Sequence, residues 1–291
     1  MKMIHMECPG YPDASLEGYL LDCELTLGQA AARPAVVVCP GGGYVYCSPR
    51  EGEPVALSYA AQGFHAFVLR YSTGWEAAGF APLQQVSWAI GLLRQNAEAW
   101  HIDPDKIVTC GFSAGGHLAF AAGVLAEHKP NAMILGYPVV TAPNIPGQDF
   151  MLKLLTGSQQ VTDEDAAKLN LPAQVTAETP PVFMAATAED LLTGFGALAV
   201  ANTYTKLGKP YELHVFQHGP HGYSLATEAS ADGSSQMLNP AFAHWQPLSV
   251  QWLHKVFGAP QFVDKSTSKM MGYLQKLGLM PEMKAPGGEY A

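Results

Sequence analysis

The residues best suited to chemistry form a glycine-rich stretch at 111–116, Gly-Phe-Ser-Ala-Gly-Gly. This G-x-S-x-G pattern directly follows a strand-like run and directly precedes a helix-like one, which is the context that a nucleophilic serine requires. A serine on so sharp a turn has a strained backbone, and glycines two places before and after it keep strand and helix from colliding. The pattern therefore predicts Ser113 as a nucleophile and disfavours a glycine-rich turn without chemistry.

Two features near this serine would stabilise a developing negative charge. Because the turn opens a helix, the backbone N–H of Ala114 and the positive end of the helix point toward a substrate oxyanion. A second loop at 40–44, Pro-Gly-Gly-Gly-Tyr, follows a predicted strand, and we expect Gly42 and Gly43 to supply a further amide. The loop lacks the spacing of a nucleotide-binding loop, and a plain structural turn is its alternative.

A base for the serine is expected late in the chain, after the last strand. His218 and His221 both follow the predicted strand 212–216. We favour His221, because Gly219 and Gly222 on either side let the loop turn its imidazole back over the sheet. Two histidines three apart also suggest a metal, but no Asp, Glu or Cys lies close by in sequence, so neither a metal nor a cofactor is expected.

The residue that orients the base is expected after the predicted strand 181–186, where Glu189 and Asp190 stand in succession. Asp190 is predicted because its short side chain at a loop apex can accept the Nδ1–H of His221 and stabilise the imidazolium. Glu189 is the alternative.

The elements that must position these residues are strand-like runs alternating with amphipathic segments. Strands are predicted at 35–39, 65–70, 106–111, 132–137, 181–186 and 212–216, and helices at 53–62, 82–100, 115–127 and 195–207. Such alternation predicts an α/β fold, a mostly parallel sheet with helices on both faces. Segments 3–7 and 17–24 are expected to add an N-terminal antiparallel hairpin, which brings the sheet to eight strands.

We predict one domain over residues 1–258, since single α/β domains commonly reach about 250 residues. Within it, 140–179 is rich in proline and is either a lid or cap insertion or a plain surface crossover, two alternatives that stay open. Residues 259–291 are predicted as a C-terminal extension, helical in pattern at 267–279. This extension covers either its own domain or a neighbouring subunit, so a homo-oligomer is left open.

Composition excludes several classes of function. Hydrophobic residues make up 48% of the chain and charged residues 14%, which favours a packed globular enzyme over a disordered chain. The net charge of -9, without any run of Lys or Arg, disfavours nucleic acid and membranes as partners. The N-terminus lacks the apolar core of a secretory signal and no stretch is apolar enough to span a bilayer, so we expect a cytoplasmic protein.

The sequence resembles the α/β-hydrolase esterases of the BD-FAE and acetyl-xylan-esterase-like group over roughly residues 30–257. The segments that carry this resemblance are 40–44, 69–72, 102–107, 111–119, 179–181 and 212–216. It implies an α/β-hydrolase fold and a serine carboxylesterase whose partner is a small-molecule ester with a short acyl group, often an acetylated sugar. It also implies catalytic roles for Ser113, Asp190 and His221. One departure is that Leu191 and Leu192 follow the acid, where the group usually has Val-Pro.

Three aromatic or imidazole side chains next to these motifs, Tyr44, His117 and Tyr223, are predicted to contact the substrate. For His117, a buried structural role is the alternative.

Two other functions stay open. A peptidase of the prolyl-oligopeptidase type shares the fold but normally adds a propeller or gating domain, for which 291 residues leave no room. A non-catalytic binding protein on the same fold is the other, since fold alone does not prove activity. Silent relatives usually lose a member of the triad, and none is missing from this sequence.

Overall fold

The computed structural model describes residues 1–23, 32–140, 149–192, 194–258 and 266–279. Within these residues a single sheet contains eight strands in the spatial order β1-β2-β4-β3-β5-β6-β7-β8. The strands are β1 (Lys2–Cys8), β2 (Tyr11–Leu20), β3 (Arg33–Cys39), β4 (His65–Arg70), β5 (Ile102–Phe112), β6 (Ala132–Gly136), β7 (Val182–Thr187) and β8 (Tyr211–Phe216).

The sheet is mostly parallel, with an antiparallel hairpin at its N-terminal edge. Strands β1 and β2 pair antiparallel, β2 pairs antiparallel with β4, and every pairing from β4 to β8 is parallel. This confirms the predicted architecture. The second hairpin strand differs in its bounds, because Gly10 with φ +80° closes a tight turn and lets β2 begin at Tyr11, inside the segment expected to be the turn.

The helices follow the strands in the predicted alternation, with two differences. They are α1 (Glu53–Ala60), α2 (Ala81–Gln95), α3 (Ala97–Trp100), α4 (Ala114–Leu125), α5 (Asp149–Thr156), α6 (Asp163–Lys168), α7 (Gly194–Lys206), α8 (Trp245–Phe257) and α9 (Ser266–Lys276). The segment predicted as one helix at 82–100 is interrupted at Asn96, whose side-chain amide donates to the carbonyl of Leu92. Helices α5 and α8 have no counterpart among the predicted elements.

The two faces of the sheet bury alternate residues of each strand, as a pleated strand requires. On β3, Val36 and Val38 pack in a cluster with side chains of α1 and α8. Val37 and Cys39 point to the other face, into a cluster with side chains of α2 and α4. Since both faces are covered, the central strands consist almost entirely of apolar residues.

The chain divides into two compact units. The first comprises Met1–Leu21 and Ala32–Ala259 and contains the sheet with helices α1 to α8. The second comprises Asp22–Ala31 and Pro260–Ala291, and its described helix is α9. The predicted domain over 1–258 and the helical extension after it stay predictions. The first unit leaves out residues 22–31 and ends at Ala259.

The proline-rich segment 140–179 contains two described helices, α5 and α6. Helix α6 begins with a capping box in which Thr162 and Asp165 exchange hydrogen bonds between side chains and backbone. Residues 141–148 lie outside the described residues, so the lid stays a prediction. None of the helices in the described ranges has the length and apolarity that crossing a membrane would require.

Candidate active site

Ser113 lies on a strained turn between β5 and α4. Its backbone is left-handed, with φ 53° and ψ -119°, a conformation that costs a non-glycine residue about 1–3 kcal/mol. A side chain on Gly111 would overlap the carbonyl oxygen of Gly115, and one on Gly115 would overlap that of Cys39. The sequence therefore needs glycine at both positions to bring helix and strand together behind the serine.

The structure brings together the three side chains that the sequence predicts as nucleophile, base and acid. The Oγ of Ser113 lies 2.8 Å from Nε2 of His221. The Nδ1 of the same ring lies 2.8 Å from the Oδ2 of Asp190. Each of the three follows the carboxyl end of a strand, β5, β8 or β7, and parallel strands place those ends at one edge of the sheet.

Hydrogen-bond chemistry assigns the protons in this chain of contacts. An ionised carboxylate only accepts, so Nδ1 of His221 carries the proton that it donates to Asp190. The neutral ring then accepts at Nε2, and the hydroxyl of Ser113 is the donor. The carboxylate of Asp190 is 1% exposed and also accepts from the N–H of Leu192 at 3.0 Å. It is thus held rigidly for contact with the imidazole.

The neighbouring acid and histidine form a separate, exposed pair. The carboxylate of Glu189 accepts from Nδ1 of His218 at 2.7 Å and from the N–H of Gly219 at 3.0 Å. The hydrogen bond to His218 is the main reason that the pKa of Glu189 is lowered. The two histidines therefore have different partners, and within the described part of the chain no three His, Cys, Asp or Glu side chains are arranged to hold a metal ion.

The predicted oxyanion donors have free amides beside Ser113. Among the described residues, no acceptor pairs with the backbone N–H of Gly42, Gly43 or Ala114. The glycines adopt φ values of +122° and +66°, which turn this loop back on itself and which side-chain-bearing residues rarely adopt. Unpaired N–H groups at a helix start and a glycine turn are suited to bind an oxyanion.

A cavity of about 430 Å³ opens above the serine and the histidine. It is lined by Gly42, Gly43, Val45, Tyr46, Ser48, Arg50, Glu51, Ser113, Val139, Phe150, Met151, Leu192, His221 and Gly222. Most of these side chains are apolar, which suits the acyl or alcohol portion of a neutral substrate. Arg50 and Glu51 are the charged exceptions, and no motif in the sequence points to either residue.

The three residues predicted to contact substrate are not among those that line the cavity. Tyr44 and His117 are fully buried, with the hydroxyl of Tyr44 2.9 Å from Nδ1 of His117. Burial lowers the pKa of His117 to about 4, so the ring is neutral at pH 7 and accepts from the tyrosine. Tyr223 is also buried and packs on Phe242 at a ring distance of 5.5 Å. The geometry thus assigns them a supporting role instead of the predicted substrate contact.

The sheet topology and the chain order of serine, aspartate and histidine together define an α/β hydrolase. The family model BD-FAE matches residues 21–194. The chain belongs to the BD-FAE family, which confirms the resemblance.

Two relatives are similar in sequence. Over 223 residues the chain is 33% identical to endo-1,4-beta-xylanase B of Butyrivibrio fibrisolvens, a match that covers 70% of this chain and 34% of the relative. Over 207 residues it is 26% identical to an acetylxylan esterase of Xylanibacter ruminicola, covering 66% of this chain and 42% of the relative. The chain therefore spans between a third and a half of the length of these relatives.

Solved structures are similar over almost the whole chain. The α/β hydrolase MGS-M1, from a Medee basin deep-sea metagenome library, has a TM-score of 0.76 and 35% identity, covering 88% of this chain and 98% of its own. The carboxylesterase Cest-2923 of Lactobacillus plantarum WCFS1 has a TM-score of 0.77 and 26% identity, covering 97% and 100%. These neighbours confirm the α/β-hydrolase fold.

The supporting role of Tyr44 gives a first prediction. Tyr44→Phe removes the hydroxyl that pairs with the buried His117, so we expect the free energy of unfolding to fall by about 1–3 kcal/mol while KM for an ester substrate is unchanged. Tyr46→Phe on the same loop, where the side chain is exposed, is the control and should change stability by less than about 0.5 kcal/mol. Urea unfolding and steady-state kinetics measure both. A raised KM with unchanged stability would instead support substrate contact.

Proposed function

We propose that the protein is a serine carboxylesterase that hydrolyses short-chain, acetyl-type esters, with acetylated sugars or xylo-oligosaccharides as the substrate class. The observation that supports this most directly is the unbroken contact from Ser113 through His221 to the buried Asp190, with 2.8 Å at each step. Such a chain activates a hydroxyl that is otherwise a weak nucleophile at neutral pH.

In the proposed mechanism the Oγ of Ser113 attacks the ester carbonyl carbon as Nε2 of His221 takes the hydroxyl proton. The carbonyl oxygen becomes an oxyanion and accepts hydrogen bonds from the amides of Gly42 or Gly43 and of Ala114. The intermediate collapses, the C–O bond to the alcohol breaks, and the leaving alkoxide takes the proton from the imidazolium. The imidazole then takes a proton from water as the water oxygen attacks the acyl carbon. The bond from that carbon to Oγ of Ser113 breaks, the serine oxygen regains its proton from the imidazolium, and the acid is released.

The substrate class rests on the relatives and on the shape of the cavity. One relative is named an acetylxylan esterase and the other a xylanase, so both act on xylan by name. The cavity is open on the side bordered by the exposed side chains of Val45 and Tyr46. An open, partly aromatic rim can accommodate a bulky sugar on the alcohol side and leaves a small acyl group next to the oxyanion donors.

The nucleophile is tested with Ser113→Ala. We expect turnover of p-nitrophenyl acetate to fall by at least about 10³-fold, because the hydroxyl bonded to Nε2 of His221 is removed, and labelling by a fluorophosphonate probe to disappear. Ser235→Ala, at an exposed serine, is the control and should keep both. A Ser113→Ala protein with normal turnover would refute the assignment, and an inert, unlabelled wild-type protein would favour a binding function.

The choice of acid is tested with a matched pair of neighbours. Asp190→Asn should lower kcat by about 10²- to 10⁴-fold, because an amide no longer holds the imidazole with its proton on Nδ1. Glu189→Gln should change kcat by less than about threefold, since its pair with His218 is exposed and contributes little. Steady-state kinetics on p-nitrophenyl acetate separate the two, and a larger loss in the Glu189 variant would reverse the assignment.

Acyl length is tested with p-nitrophenyl acetate, butyrate and octanoate. The wild-type protein should prefer acetate, and Phe150→Ala should raise the kcat/KM of octanoate relative to acetate about tenfold, because the ring of Phe150 closes the cavity over Gly43. Phe195→Ala, at an exposed ring outside the cavity lining, is the control. A wild-type preference for octanoate contradicts the short-chain assignment.

A second comparison separates an esterase from a peptidase. The protein is given acetylated xylo-oligosaccharides in one assay and an aminoacyl-peptide in another. Release of acetate without cleavage of the peptide supports the esterase.

A further inference from the structure

A second buried carboxylate lies beside the proposed catalytic groups and has no part in the mechanism above. Glu51 is 4% exposed and directly lines the cavity. Among the described residues, Glu51 and Asp190 are the two acidic residues that are buried. A carboxylate is costly to bury unless its oxygens are well paired, so its position beside His221 requires a physical explanation.

The two oxygens of Glu51 bind two different parts of the site. Oε2 accepts from the backbone N–H of Gly41 at 2.9 Å, which holds the start of the glycine loop whose next residues are the proposed oxyanion donors. A side chain on Gly41 would come within 2.6 Å of this oxygen and 3.1 Å of the Cβ of Ser113. Oε1 accepts from the hydroxyl of Tyr137 at 2.6 Å.

Tyr137 carries the contact on to the histidine loop. Its hydroxyl also accepts from the backbone N–H of Ser224 at 2.7 Å, three residues after His221. Its ring packs edge-on against the imidazole, with centroids 5.0 Å apart. The backbone of Tyr137 has a positive φ of 35°, a strained conformation for a residue with a side chain.

Arg50 adds a second link to the same loop. Its Nη2 donates to the carbonyl of Gly222 at 3.0 Å, and its own carbonyl accepts from the hydroxyl of Ser224 at 2.7 Å. Arg50 therefore contacts the chain on the C-terminal side of His221 directly, while its neighbour Glu51 contacts the glycine loop.

We propose that Glu51 and Tyr137 are positioning residues that hold the oxyanion loop and the histidine loop to one buried carboxylate, and that the negative charge of Glu51 stabilises the imidazolium of His221 as it forms. This inference rests on the proposed esterase mechanism and adds to it a second carboxylate, which acts on His221 through space and not through a hydrogen bond.

The charged and titratable groups around the pair fit this role. Burial raises the pKa of Glu51 above its ordinary value, and the hydrogen bonds from Tyr137 and Gly41 and the charges of His221 and Arg50 offset only part of this rise. Burial raises the pKa of the Tyr137 hydroxyl well above its ordinary value, so it stays protonated and donates to the carboxylate. His221 itself faces Asp190 from the β7 loop, Tyr137 from β6, and Glu51 and Arg50 from the turn before α1.

The test is Glu51→Gln, which keeps the shape of the side chain and removes its charge. With p-nitrophenyl acetate we expect kcat to fall about tenfold with little change in KM, and the acid limb of kcat/KM to move to lower pH, because the imidazolium loses a stabilising charge. Tyr137→Phe keeps the charge of Glu51 but loosens both loops, so kcat should fall while the acid limb moves less. The control is Glu53→Gln, the same substitution at an exposed position on α1, which should leave kcat and the acid limb unchanged.

A folded Glu51→Gln protein with wild-type kcat, or with an unmoved acid limb, overturns the proposal. If this variant does not fold by circular dichroism, Tyr137→Phe decides, and a normal kcat overturns the proposal. Should the wild-type protein hydrolyse no ester, the proposed function fails separately. In that case the NMR titration of the His221 imidazole tests the inference. The titration should move to lower pH in Glu51→Gln, and an unmoved titration overturns the inference.

Discussion

The close approach of helix α4 to the ends of β3 and β5 is the constraint on which the site depends. No side chain fits at Gly111 or Gly115, because each would overlap a carbonyl oxygen of the neighbouring main chain. The main chain must therefore reverse direction at Ser113 in a left-handed conformation, which costs about 1–3 kcal/mol. The strain is sustained because β5 lies in the middle of the sheet, paired with β3 on one side and β6 on the other. The hydroxyl is thereby presented at the start of the helix, where partial positive charge is greatest.

Much of this arrangement follows from local sequence. The parallel strands were predictable because a strand covered on both faces is a continuous apolar run, as in β3 and β6. The meeting of Ser113, Asp190 and His221 was predictable for a related reason, since each follows a strand and the carboxyl ends of parallel strands share one edge. Glycine positions were equally informative, because the turns at 111–116 and 40–44 require conformations or close contacts that other residues do not tolerate.

Other features depend on contacts between distant residues and were not predictable. Glu51 and Tyr137 are 86 residues apart, and no local pattern shows that a carboxylate and a phenol will share a buried site. Tyr44 and His117 adjoin the motifs in sequence, but adjacency does not reveal whether a side chain faces the cavity or the core. At Tyr44, a φ of 60° belongs to the turn that leaves its ring buried against His117. The second hairpin strand begins earlier than the predicted segment 17–24 for a simpler reason, because Gly10 turns the chain directly after β1.

The two acid–histidine pairs lie side by side but in different surroundings. Glu189 and His218 are more than half exposed, whereas the carboxylate of Asp190 is almost inaccessible. Mobile ions screen exposed charges over about 10 Å at 0.1 M salt but affect buried pairs far less. When His218 is protonated, added salt therefore weakens the outer pair, whereas the hydrogen bond between His221 and the buried carboxylate of Asp190 is shielded from mobile ions. The outer edge of the histidine loop thus depends on ionic strength more than the contact between Asp190 and His221 does.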